Sequence, residues 1–552
     1  MKKGIVMVMF LAFLIVAVLN NVILSAEAKP VDIVAVEGGL VKGVPSDVVG
    51  VQIFKGIPFA GSTAGKNRWK APQPVESWQG VKLCDTWGDQ VMQDTTINPV
   101  GTFWGDEFYF DPDFAPEASE DGLNLNVYTP AKATNDKLPV FIWIHGGGNN
   151  HGYGSEMEFY ASKLAEKGII VVDAQYRVSM FGFLGLKELE EESPNGTTGN
   201  YALLDFVKAL KWVNKYIAGF GGDASKITVG GQSAGAGNTT ALLRSPLAKG
   251  LFQRAIIQSG FQGFLTEKNA VVYQSLEAKE AAIEKAFGRK MTLEELRAIP
   301  AEEYLSRKTV DGTTTLYSAI SRAAGGWAID GYAFTEESVD LMRVGVLDGY
   351  DIIIGGTSDE YSSLRGGEDK TMSMTDFAKA MQEIYGTDYK QAYKPSNELE
   401  AYRMYLRLQS DYKLQLYVQS AVYAKSHNNE INVYAYYFNH TPPGRNSDFY
   451  GSYHSSDLWY THNSLRDTPG QRHWTSADYR MADTISSYWA NFVKTGNPNG
   501  VGLTNWKQSS IETGDAFIRF HEGYAYSVNS TPYPERDYLN RKVVLESYGM
   551  SQ

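Results

Sequence analysis

The chain predicts an α/β architecture: a large mixed, mostly parallel sheet covered by helices on both faces. Three observations carry that expectation. Apolar segments of strand length, at 139–144, 168–174 and 350–355, lack the in–out alternation of a half-solvated sheet, so they read as strands buried on both sides. Helical periodicity separates them, most clearly over 201–216. Finally, the strand-like 227–229 runs through Gly231-Gln232-Ser233-Ala234-Gly235 into a helical pattern after Gly237.

In chain order, residues 1–28 have the layout of a secretory signal peptide. Lys2 and Lys3 precede an apolar run, and Ala26-Glu27-Ala28 offers a cleavage site before Lys29. A membrane anchor would need about 20 apolar residues, and Asn20-Asn21 interrupts too early. The expected product is secreted or periplasmic, with no stable membrane insertion. Its charge follows from the −12 of the full chain: removing two Lys and one Glu gives −12 − 2 + 1 = −13. Such a balance argues against nucleic-acid partners. The single cysteine, Cys84, allows no internal disulfide and reads as a structural or semi-exposed thiol.

Segments 31–36 and 49–54 read as small antiparallel strands, and 94–119 as a loop with unusual aromatic content. Its rings, Trp104, Tyr109 and Phe110 among them, either plug the core or line a pocket. Strands follow at 125–128 and 432–438, a long helix at 476–494 and a last short strand at 517–520. Helix candidates at 276–287, 293–299, 302–307, 376–385 and 398–425 fall in two stretches, about 262–345 and 366–428. These read as helical insertions over the edge of the sheet in a single domain spanning 29–552.

The chemistry centres on Ser233. A serine in a sharp strand-to-helix turn presents its hydroxyl at the top of the sheet. Gly231 and Gly235 let the two backbones pass closely, and the Ala234 amide opens a helix where a developing oxyanion is favoured. The Gly-x-Ser-x-Gly pattern alone would arise by chance on the order of 0.4 times in a chain this rich in glycine, so its setting matters more than its letters. His145-Gly146-Gly147-Gly148, directly behind the strand 139–144, supplies bare N–H groups that complement Ala234. An orienting acid should follow the strand 350–355, where Asp359 and Glu360 both qualify and spacing does not choose. The base is sought among His427, His440, His454, His462, His473 and His521; the loop carrying His454 suits a group that must reach a serine.

These motifs resemble the type B carboxylesterase (cholinesterase-like) family of the α/β-hydrolase fold. The likeness extends through Phe54-Lys55-Gly56-Ile57-Pro58-Phe59-Ala60, Ser119-Glu120-Asp121-Gly122-Leu123-Asn124-Leu125-Asn126-Val127, Tyr176-Arg177-Val178, Phe220-Gly221-Gly222-Asp223, Gln258-Ser259-Gly260 and Gly496-Asn497-Pro498-Asn499-Gly500. The resemblance implies Ser233 as nucleophile, Glu360 as acid, His454 as base, and Gly147, Gly148 and Ala234 as oxyanion hole. It also implies that Ser259 and Asp457 support the histidine loop. Departures are Gln232 at the position of the family's often-replaced Glu, Tyr361 and Phe206 at positions usually Gly and Gln, and Val91 and Gly122 where relatives have a disulfide.

The implied activity is hydrolysis of short-chain or aryl esters through an acyl-enzyme, without metal or cofactor, by a monomer or homodimer. A lipase, amidase or lactonase could use the same triad, whereas non-catalytic adhesion relatives lose the nucleophile that is present here. In the resemblance the serine lies in a gorge, and Trp104, Tyr109, Trp327, Trp459 and Tyr460 are candidates for its walls. The ligand is a small-molecule ester.

Overall fold

A computed structural model describes residues 31–260, 276–324, 326–335, 349–444, 446–466 and 472–547. The expected leader, 1–28, and parts of the stretch 262–345 lie outside them. Among the described residues no helix is long and apolar enough to cross a membrane.

Eleven strands form one sheet. In chain order they are β1 (Val44–Pro45), β2 (Gln52–Pro58), β3 (Asn124–Thr129), β4 (Leu138–Ile144), β5 (Ile170–Ala174), β6 (Gly222–Gln232), β7 (Arg254–Gln258), β8 (Asp351–Thr357), β9 (Val433–Phe438), β10 (Phe517–His521) and β11 (Tyr524–Val528). Their spatial order is β11-β10-β9-β8-β7-β6-β4-β5-β3-β2-β1. The block from β10 to β5 is parallel throughout. Antiparallel pairing is confined to the two flanks.

The continuous apolarity of the central strands has the predicted cause. On β4, Val140, Ile142 and Ile144 face a core shared with the helix Tyr201–Tyr216, while Phe141 and Trp143 face another shared with the helix Ser476–Thr495. Both faces are therefore dry, and a polar residue on either would need its own hydrogen bond. The helix Ser476–Thr495 begins at a capping box, Thr475 with Asp478, and stops at Gly496, whose φ of 77° suits glycine.

Several boundaries differ from expectation for physical reasons. The strand Ile33–Val36 joins a separate three-stranded sheet, whereas the next predicted strand extends as β2 onto the edge of the main one. Within the aromatic stretch 94–119, residues Phe103–Phe108 form a short helix, because Thr102 caps it by accepting from the Gly105 N–H. The helix Glu398–His427 does not merely overhang the sheet edge: Leu414, Tyr417, Val418 and Ala421 pack on its face against Ile352, Ile354 and Val433. Around Val91 and Gly122, Gln90–Val91 pairs in parallel with Ala118–Ser119, and a Cβ on Gly122 would lie 2.6 Å from the Val91 nitrogen. Backbone pairing thus keeps the two segments together without a covalent clasp. Cys84 is buried, not semi-exposed, and burial pushes its thiol up to about 11.

Candidate active site

The turn at Ser233 is as sharp as its sequence demands. Ser233 takes φ 56° and ψ −123°, and the helix Ala234–Arg244 starts at the next residue. A Cβ on Gly231 would stand 2.5 Å from the Gly235 carbonyl, and one on Gly235 would stand 2.0 Å from the Ile144 oxygen. Neither position tolerates a side chain, so both glycines are needed to seat the helix against β4. As the first helical residue, Ala234 has no carbonyl four residues back to bond, which leaves its N–H directed outward.

The glycine loop leaves β4 beside this turn, since Ile144 pairs with Gly231. Gly147 and Gly148 have φ of 89° and 64°, and the Gly147 carbonyl accepts from the Asn150 and His151 N–H groups at 3.0 and 3.2 Å. Among the described residues none accepts a bond from the Gly147 or Gly148 N–H. Tyr176 steadies the loop by donating its hydroxyl to the His145 carbonyl at 3.2 Å and stacking on the His145 ring.

Glu360 and His454 meet through a short contact between Glu360 Oε2 and His454 Nδ1. An ionised carboxylate only accepts, so Nδ1 carries the proton and Nε2 keeps its lone pair. Burial alone would raise the Glu360 carboxyl, but His454, with smaller help from Lys413 and Ser259, holds it down at about 2. The Thr357 N–H adds a bond to Oε1 at 3.1 Å. Neighbouring Asp359 points elsewhere: it pairs with Arg407 and accepts from the Ser452 N–H at 3.2 Å, joining the end of β8 to the histidine loop. Of the two carboxylates left open by the sequence, only Glu360 touches the imidazole.

Two features at His454 escaped sequence reasoning. Gln232 Nε2 lies 3.2 Å from His454 Nε2, and the amide donates to the lone pair that a serine proton would need. Among the described residues no hydrogen bond joins the Ser233 hydroxyl to His454. The position of Gln232 was legible, but not the direction of its side chain. Asp457, expected to support the loop, is buried and accepts from the Tyr436 hydroxyl at 2.8 Å and Gln258 Nε2 at 3.2 Å. Burial pushes its carboxyl up to about 6. Ser259 lies beside Glu360, where its hydroxyl helps to hold the carboxylate ionised.

Ser233, His454, Gly148 and Leu364 form the boundary between two cavities, of about 400 and 590 Å³. Trp104, Phe108 and Tyr109 line the first, with Gly147, Glu156 and Glu158; Trp327, Tyr361 and Lys413 line the second. Trp459 is a correction: it is fully buried, stacked on Phe108 with ring centroids 5.7 Å apart, and faces neither cavity. Tyr460 is likewise core, its hydroxyl donating to Asp478 at 2.7 Å. An aromatic residue close to the histidine in sequence is turned inward by the helical twist of Leu458–Thr461.

A sheet parallel at its centre, with a serine turn after β6 and a glycine loop after β4, defines an α/β-hydrolase. The chain belongs to the carboxylesterase family, which it matches over residues 30–525. It is 31% identical over 497 residues to the para-nitrobenzyl esterase of Bacillus subtilis, covering 88% of this chain and 94% of that one. The fumonisin B1 esterase of Sphingopyxis macrogoltabida is 28% identical over 521 residues, with 91% and 89% covered. Among solved structures, a carboxylesterase of Geobacillus stearothermophilus superposes with a TM-score of 0.71 at 27% identity, covering 92% of this chain and 99% of that one. The protein is therefore an enzyme, and its reaction is the hydrolysis of carboxylic esters.

Proposed function

We propose that the enzyme cleaves short-chain or aryl esters through a covalent acyl-serine, with Ser233 as nucleophile, His454 as base and Glu360 as orienting acid. The observation that carries this reading is the turn that sets Ser233 between two cavities, beside an imidazole whose far nitrogen is held by a buried carboxylate. The Ser233 oxygen attacks the ester carbonyl while its proton passes to His454 Nε2, a transfer that requires the Gln232 amide to yield that lone pair. The carbonyl oxygen becomes an oxyanion facing the N–H groups of Gly147, Gly148 and Ala234. Collapse expels the alcohol, which takes the proton from His454. A water, deprotonated by the same nitrogen, then attacks the acyl-serine and restores the hydroxyl.

A first cavity of about 400 Å³ with rings at Trp104, Phe108 and Tyr109 favours a flat aryl group on the alcohol side of the ester, paired with a short acyl group and not a long chain. We expect kcat/KM to fall from nitrophenyl acetate and butyrate to palmitate. A maximum at palmitate would make the enzyme a lipase. Ser233→Ala should lower kcat by about a thousandfold or more with an unchanged melting curve; retention of a hundredth of the activity would reassign the nucleophile. The layout of residues 1–28 supports export, which mass spectrometry of the secreted protein would check as an N-terminus at Lys29.

A further inference from the structure

One wall of the first cavity takes no part in the steps above. Glu156 and Glu158 both line it, at the start of the single turn Met157–Phe159, and they are only 5% and 2% exposed. Glu156 Oε1 accepts from the Tyr153 N–H at 3.0 Å and the Tyr109 hydroxyl at 3.4 Å. The two carboxyls share a hydrogen bond, which leaves the Glu158 Oε2 oxygen with no partner among the described residues. Nor does any Lys or Arg among them pair with either carboxyl. Arg466 acts on Glu158 from a distance, but its guanidinium is engaged with Asp111 at 4.0 Å and lies over the rings of Phe114 and Tyr160. His151 on the same wall is kept neutral, since burial lowers it to about 4.

Two adjacent carboxyls in a dry wall are unfavourable unless something charged or donating meets them. A glutamine or leucine pair would fill the same space at lower cost. The rest of the wall, Trp104, Phe108 and Tyr109, offers ring faces and edges, and ring faces attract cations.

We infer that Glu156 and Glu158 form a cation subsite, and that esters bearing a protonated amine on the group entering this cavity are preferred substrates. The inference rests on the proposed role of Ser233, because the subsite earns its meaning from the serine it adjoins. An ammonium brings three N–H donors, enough to meet Glu158 Oε2 and Glu156 together while its carbon stem lies against the rings.

The test compares kcat/KM at pH 7.5 for three aryl acetates of nearly equal size: 4-(aminomethyl)phenyl, 4-(hydroxymethyl)phenyl and 4-ethylphenyl acetate. The expected result is at least a tenfold preference for the aminomethyl over the ethyl ester. Glu158→Gln and Glu156→Gln should each reduce that ratio about fivefold, and the double variant should bring it near one. A wild-type ratio of one or below, a ratio that both variants leave intact, or a preference for the hydroxymethyl ester would overturn the cation subsite. Binding of benzylammonium to Ser233→Ala, read as a melting shift against benzyl alcohol, gives a measure independent of turnover. Equal shifts would overturn the inference even if the glutamine variants failed to fold. An inactive wild type towards 4-ethylphenyl acetate, with benzylammonium still favoured, would instead fault the esterase reading of Ser233 and leave the subsite standing.

Discussion

Glu360 and the pair Glu156–Glu158 are buried around the same serine, and burial pushes all three carboxyls towards the neutral form. Their outcomes nevertheless diverge. Glu360 faces His454 and is held down at about 2, whereas burial raises Glu156 to about 7 despite hydrogen bonds with the Glu158 carboxyl, the Tyr153 N–H and the Tyr109 hydroxyl. Burial raises Glu158, beside it, as well. Depth alone therefore does not set the charge of a buried acid; the partner does. The carboxyl beside His454 is ionised down to about pH 2, and the opposite wall holds acids that burial keeps towards the neutral form.

The largest break in this contrast should come from removing the charge that has a partner. Glu360→Gln is expected to lower kcat by about a thousandfold, because His454 loses the acceptor that fixes its tautomer. Asp359→Asn, which loosens Arg407 and Ser452 instead, should keep kcat within about tenfold. The reverse ranking in steady-state kinetics would move the acid by one residue.

A second change sharpens the contrast through stability. A carboxyl held below its ordinary 4.5, such as Glu360, contributes stability that is present above 4.5 and lost as the pH falls through about 2. The pair Glu156–Glu158 works with the opposite sign: the cost of its ionisation is absent below 4.5 and grows as the pH rises through about 7. The double variant Glu156→Gln, Glu158→Gln should therefore melt several degrees higher than wild type at pH 8, with a clearly smaller gain at pH 5. Calorimetry at the two pH values checks this, and a loss of stability at pH 8 would contradict it.

The smallest effect concerns Gln232, whose amide donates where a carboxylate would accept. Gln232→Glu adds a negative charge next to His454 Nε2 and favours the imidazolium. The acid limb of the kcat/KM profile should move to higher pH by about one unit. An unmoved limb would mean that the side chain at this position turns away from the histidine.

The elbow, the glycine loop and the buried strands were legible because their constraints are local. A serine between Gly231 and Gly235 has few other ways to fold, and strands such as 139–144 carry their burial in their composition. Choosing between Asp359 and Glu360 was not local. It depends on which carboxylate the helix Glu360–Leu364 turns towards His454 and which meets Arg407, 48 residues further along the chain. Trp459 was misplaced for a similar reason: closeness to His454 in sequence says nothing about a ring that the next turn buries against Phe108. The carboxyl pair was not legible as a unit, since nothing local in the sequence brings Tyr109, from a segment 47 residues earlier, over Glu156.

The position of Ser233 and His454 on the boundary between two cavities bears on how this enzyme can change. Among the described residues the two walls share only Gly148, Ser233, Leu364 and His454, so an ester with one half in each cavity would meet otherwise distinct residues on its two sides. Substitutions that act on separate groups tend to add rather than interfere. Preference for the alcohol and preference for the acid can then drift as separate traits, each reshaped without retuning its counterpart. A lineage built on such a boundary can try new pairings of the two halves one wall at a time, while the reacting atoms stay where they are.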